Sequence, residues 1–86
     1  MKYFYKTYFI AADVPDYYIF ATDKPILELE EGDREYIIYD SLGSPVNQRN
    51  QLTKTDIECY INEYNGDDEG WKTIEMTKEE VVLGLM

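Results

Sequence analysis

Thr55–Gly66 reads TDIECYINEYNG, and this stretch decides the fold. Thr55-Asp56-Ile57-Glu58 has the form of a capping box. The threonine hydroxyl can accept from the third helical NH, and the glutamate can reach back. Ile57, Tyr60, Ile61 and Tyr64 then fall at i, i+3, i+4 and i+7, one apolar stripe on a helix. Asn65-Gly66 is a natural stop. One amphipathic helix in a chain otherwise patterned as strands predicts an α+β protein.

N-terminal to the helix, Ser41–Lys54 contains no acid and carries Arg49 and Lys54. It reads as a long connection, either a plain crossover from sheet to helix or a functional or mobile loop. Before it lie four strand signals. Lys2–Ala12 (KYFYKTYFIAA) is long and aromatic, with apolar residues on both faces, which suits a central strand or an edge strand covered by a partner. Asp13-Val14-Pro15-Asp16 is a turn, and Tyr17–Thr22 (YYIFAT) returns. Ile26–Glu30 alternates, with Leu27 and Leu29 opposite Glu28 and Glu30, as a half-buried strand does. Glu31-Gly32-Asp33 turns the chain, and Glu35–Asp40 (EYIIYD) pairs back.

C-terminal to the helix, Asp67–Gly70 is an acidic turn. Trp71–Met76 (WKTIEM) alternates as a fifth strand. Thr77-Lys78-Glu79-Glu80 repeats the capping-box form and opens a short helix carrying Val81, Val82 and Leu85. The expected architecture is a four- or five-stranded, mostly antiparallel sheet with one main helix on a face and a short C-terminal helix. The length, 86 residues, suits one domain spanning 1–86. Expected core positions are Phe4, Tyr8, Ile10, Ile19, Leu27, Leu29, Ile38, Ile57, Tyr60, Ile61, Tyr64, Ile74, Val81 and Val82.

Composition limits the chemistry. There is no histidine, hence no histidine triad and no imidazole metal site. The five glycines are scattered, without a phosphate loop. Cys59 is the only cysteine, which fits a reducing cytoplasm and no intrachain disulfide. No apolar run approaches the ~18–20 residues of a membrane span, and Lys6 and Asp13 argue against an N-terminal signal peptide. Asp67-Asp68-Glu69 lacks the alternating spacing of a calcium loop. No cofactor, metal site or catalytic residue is expected, and the chain reads as a binder rather than an enzyme.

Charge supplies the functional expectation. Eighteen acids oppose eight bases, a formal net charge of −10. Nine of the acids lie between Thr55 and Glu80 against Lys72 and Lys78, so that window carries −7. Such a field repels nucleic acid and attracts basic surfaces. Direct nucleic-acid binding is therefore not expected, although aromatic strands can stack bases.

The acids can be a solubilising surface, or they can imitate a phosphate backbone. Strand acids at i and i+2 lie about 6.6 Å apart, and Glu28 and Glu30 meet that condition. Asp56, Glu58 and Glu63 on the helix, extended by Asp67, Asp68 and Glu69, complete the candidate partner-binding set. In size, acidity and lack of catalytic groups the chain is similar in general character to the small inhibitors that phages use against host defence enzymes. The expected function is a phage or mobile-element inhibitor. It would block the basic nucleic-acid site of a host protein, such as a CRISPR effector, nuclease or DNA-binding protein, as a monomer or homodimer. The alternative is a small accessory or assembly domain whose nine tyrosines make oligomer or protein contacts.

Overall fold

The computed structural model describes residues 2–10, 17–39 and 45–82. Five strands, β1 (Tyr3–Phe9), β2 (Tyr17–Thr22), β3 (Arg34–Tyr39), β4 (Pro45–Gln51) and β5 (Trp71–Met76), form one antiparallel sheet in the order β4-β3-β2-β1-β5. Helix α1 (Lys54–Asn65) connects β4 to β5, and α2 (Lys78–Val82) follows β5. The fold is α+β, with one main helix and a short C-terminal one. β1 is an interior strand, paired with both β2 and β5, in keeping with its apolar residues on both faces. The turn expected at 13–16 and the helix position Leu85 lie outside the described residues.

Registers divide every strand into two faces. Tyr5, Thr7, Tyr18, Phe20, Thr22, Glu35, Ile37, Thr73 and Glu75 share the face toward α1. The core there contains Tyr5, Phe20, Ile26, Leu29, Leu52, Ile57 and Tyr60, with Ile61 and Tyr64 packed against it. Aromatic rings form its spine. The Phe20 ring stacks on Tyr60 at 4.5 Å and on Tyr5 at 5.5 Å, and Tyr64 meets Tyr5 edge-on at 6.3 Å. Such contacts add roughly 0.5–1.5 kcal/mol each beyond area burial.

The helix is capped two residues before Thr55. Thr53 is the N-cap: its Oγ1 accepts from Asp56 NH at 3.2 Å, and Thr53 NH donates to Asp56 Oδ2 at 3.0 Å. This start puts Leu52 just before the cap and Ile57 at the fourth helical position, both buried. That is the arrangement of a hydrophobic staple, which a Thr55 cap could not make. At the other end Gly66 takes φ 82°, and Asp67 NH bonds Asn62 O at 2.8 Å. Glycine enters this left-handed conformation without a Cβ penalty. The second box forms as written, with Thr77 and Glu80 exchanging two 3.1 Å hydrogen bonds.

Two expected elements differ. Ile26–Glu28 is a 3-10 turn, not the start of a strand. Pro25 (φ −57°) leads into it, and Glu28 NH and Leu29 NH return to Pro25 O and Ile26 O. Burial consequently follows i, i+3: Ile26 and Leu29 point inward while Leu27 is 61% exposed. The supposed connection 41–54 contains β4. Asn and Gln have weak strand propensity, yet β4 needs little of it, because it is an edge strand pinned by β3. Pro45 is its first residue, where a missing donor costs least. Leu52 N and O bond Asp33 O and Gly32 N at 2.7 and 3.0 Å. Ile10 and Ile74, expected in the core, are 53% and 37% exposed. Phe4, Tyr8 and Ile38 are half-buried.

Candidate interaction surfaces

The strand charges are sorted by face. The two carboxylates within the described strands, Glu35 and Glu75, both lie on the α1 side. The four strand cations, Lys6, Arg34, Arg49 and Lys72, all lie on the other. The 3-10 turn packs against α1, so the segments flanking it join the helix layer. Residues 23–33 supply five acids and residues 53–69 supply six, against Lys24 and Lys54. The helix layer is acidic and the outer sheet face is basic.

Within the acidic layer, Glu58, Asp67 and Glu69 are exposed. Asp56 is exposed too, with its carboxylate closing the N-cap. Glu28 and Glu30 are exposed, but on and after the 3-10 turn, so strand-like phosphate spacing does not apply to them. Asp68 is structural: its Oδ1 accepts from Gly70 NH and Trp71 NH, both at 2.8 Å. Those amides hold its carboxyl below the usual range. Lys24 and Asp33 form an ion pair at 3.1 Å.

Glu63 leaves the candidate set. It is 8% exposed and turns into the sheet, because α1 sits with Ile57, Tyr60 and Glu63 inward. Its Oε1 accepts from Thr73 Oγ1 at 3.1 Å, and Thr73 meets Thr7 across β1 and β5 at 2.6 Å. A second carboxylate, Glu35, is 6% exposed. The Tyr60 hydroxyl donates to it, Asn50 Nδ2 donates at 3.4 Å, and Tyr18 donates to Tyr60 at 3.4 Å. Thr7 also interacts with Tyr18, so both carboxylates belong to one hydroxyl network.

Among the described residues neither carboxylate has a cationic partner. Burial raises both carboxyls, and the hydroxyl bonds only partly oppose it. Burial likewise lifts Tyr18 to about 12, and Tyr60 upward. No buried side-chain polar atom among the described residues lacks a partner, which is how a core tolerates such groups.

The outer face carries Phe4, Lys6 and Tyr8 from β1, Tyr17, Ile19 and Ala21 from β2, and Tyr36 and Ile38 from β3. Arg34 on β3, Arg49 and Gln51 on β4, and Lys72, Ile74 and Met76 on β5 also lie on it. Lys6 Nζ sits over Tyr17 at 4.6 Å and over Tyr8 at 5.7 Å, and the Arg49 guanidinium lies 5.8 Å from Tyr36. A concavity of about 370 Å³ is lined by Phe4, Ala21, Tyr36, Ile38 and Arg49. The aromatic residues are thus split between the two faces of the sheet. Alternation around Lys6 and Arg49 was the available signal, but it needed β4 to be recognised as a strand.

Among the described residues no group of three or more acid or cysteine side chains is placed to hold a metal ion. No described helix is long and apolar enough to cross a membrane. Cys59 is exposed. No protein-family model, curated protein or solved structure matches the chain.

Proposed function

We propose that this chain is a non-catalytic binding protein that presents its acidic helix layer to a basic protein surface. The surface in view is the nucleic-acid site of a host CRISPR effector, nuclease or DNA-binding protein, and the source a phage or mobile element acting in the cytoplasm. One observation carries the reading: residues 23–33 and 53–69 gather eleven acids against two lysines in one layer, while every strand cation lies on the opposite face. A one-sided field steers encounter with an oppositely charged site and competes with phosphates for it. The contact residues are Glu58, Asp67 and Glu69, with Asp56, Glu28 and Glu30 on the same layer. Asp68 shapes the turn that presents its neighbours.

The test is reversal of Glu58, Asp67 and Glu69 to lysine. All three are exposed, so the fold should persist. Affinity for a basic partner identified by affinity capture should fall by at least several-fold, chiefly through slower association. Added salt and double-stranded DNA should displace the wild-type protein. Binding indifferent to salt, to duplex DNA and to the triple reversal would leave the assembly-domain reading in its place.

A further inference from the structure

We propose that the outer face of the sheet is a binding platform for single-stranded DNA. Two independent features coincide there. Four aromatic side chains, Phe4, Tyr8, Tyr17 and Tyr36, stand on three neighbouring strands and are all partly exposed. Four cations, Lys6, Arg34, Arg49 and Lys72, stand among and beside them, and no described strand residue of that face is a carboxylate. Unpaired strands are bound by this combination: rings stack on bases, and cations follow the phosphates.

The geometry identifies a first subsite. The concavity between Phe4, Tyr36 and Arg49 is about 370 Å³ and has Ala21 and Ile38 among its walls. It is large enough for a small planar ligand. A base entering it meets the Tyr36 and Phe4 rings, and its phosphate meets the Arg49 guanidinium. Lys6, over the Tyr17 and Tyr8 rings, marks a second place where ring and cation are presented together.

The net charge of −10 does not forbid this. The acids are concentrated in the helix layer, and the shortest dimension of the molecule is 19 Å. At physiological ionic strength the Debye length is about 8 Å, so the outer face is largely screened from the layer behind it.

Single strand is favoured over duplex because the exposed rings of this face need unpaired base faces to stack on, and a duplex hides them. DNA is favoured over RNA because the face is dominated by rings, alkyl groups and cations. Besides tyrosine hydroxyls, Gln51 is the one neutral hydrogen-bonding side chain described there to reward a 2′-hydroxyl. An acidic protein surface, including the helix layer of a second copy, would satisfy the cations but give the rings no bases to stack on.

The test uses the full chain and a fluorescently labelled oligo(dT) of about ten nucleotides, within the usual footprint of one small module. Saturable binding tighter than about 10⁻⁴ M at physiological salt is expected. With four cations available, log K should fall with log salt at a slope no steeper than about −3. Amide shifts should map to β1, β2, β3 and β4 on the outer face.

Arg34→Glu with Arg49→Glu changes two exposed side chains, and circular dichroism checks the fold. That variant should lose roughly tenfold or more in affinity, as should Tyr36→Ala. The Glu58, Asp67 and Glu69 reversal should not weaken the oligonucleotide complex, which separates this site from the helix-layer reading. The proposal is overturned by oligonucleotide binding weaker than about 10⁻⁴ M, or by shifts confined to α1. It is equally overturned by a tighter complex with duplex or RNA of the same length, or by salt-sensitive self-association that the Arg34/Arg49 reversal abolishes without an effect on oligonucleotide.

Discussion

Tyr60→Phe isolates the hydroxyl that joins the helix to a buried carboxylate. The ring is kept, so its 4.5 Å stack on Phe20 survives. Two hydrogen bonds are lost: the one Tyr60 donates to Glu35 and the one it accepts from Tyr18. A hydrogen bond to a charged acceptor contributes about 1.5–3 kcal/mol, and a neutral one about 1. Glu35 keeps only Asn50 among its described donors. With Glu35 ionised, the expected cost is therefore about 2.5–4 kcal/mol.

Glu35→Gln changes the arithmetic. It removes the charge whose burial is unfavourable but keeps an oxygen that Tyr60 can donate to. In that background two neutral bonds are lost and Tyr60→Phe should cost about 2 kcal/mol, so the cycle should show a coupling of about 0.5–2 kcal/mol. The assay is urea unfolding followed by fluorescence of Trp71, the one tryptophan. With m about 1 kcal/mol/M for a small domain, each kcal/mol moves the midpoint by about 1 M. Equal costs of Tyr60→Phe in the wild-type and Glu35→Gln backgrounds, at both pH 7 and pH 5, would refute the account of Glu35 as a charged acceptor.

Four further outcomes are expected. Stability should rise as pH falls toward the unfolded carboxyl value of about 4.3. Glu35 and Glu63 have folded-state pKa values raised by burial, so their contribution is complete below the unfolded value of about 4.3 and is lost as pH rises through the folded one. Asp33 and Asp68 are lowered and act oppositely, so denaturation midpoints should fall again below about pH 4; a midpoint that drops steadily from pH 7 would contradict the buried pair. Thr53→Ala should cost on the order of 1 kcal/mol and Thr55→Ala a few tenths at most, a contrast that equilibrium unfolding resolves. Gly66→Ala, at φ 82°, should cost about 1 kcal/mol through strain alone, since open space surrounds that position; an unchanged midpoint would refute the αL cap. Sodium chloride up to about 0.15 M should raise the melting temperature slightly by screening the helix layer, and a steady fall in differential scanning would count against it.

Local rules determined much of this protein from sequence alone. Alternation and β-branched or aromatic content made β1, β2, β3 and β5 legible, because those signals report burial of one pleated face. The stripe from Ile57 to Tyr64 identified α1 for the same reason at helical period. What needed the tertiary structure were choices between near-equal local signals. Thr53 and Thr55 both precede an acid by three residues, and only the seating of Leu52 beside Ile57 selects Thr53. Leu27 and Leu29 alternate well, but Pro25 and the pull of Ile26 into the core turn the segment into a 3-10 turn. Asn-Gln-Arg-Asn-Gln carries almost no strand signal of its own, and becomes β4 by pairing with β3.

Charge shows the same division. The excess of acid was fixed by composition, but its sorting was not. Whether a carboxylate such as Glu63 faces solvent or a threonine of the sheet depends on the rotation of α1 over β5. Whether Lys6, Arg34, Arg49 and Lys72 share one face depends on strand registers, among them one that pairs Phe4 with Met76 near the opposite end of the chain. Long-range pairing decides both, and no local window contains it.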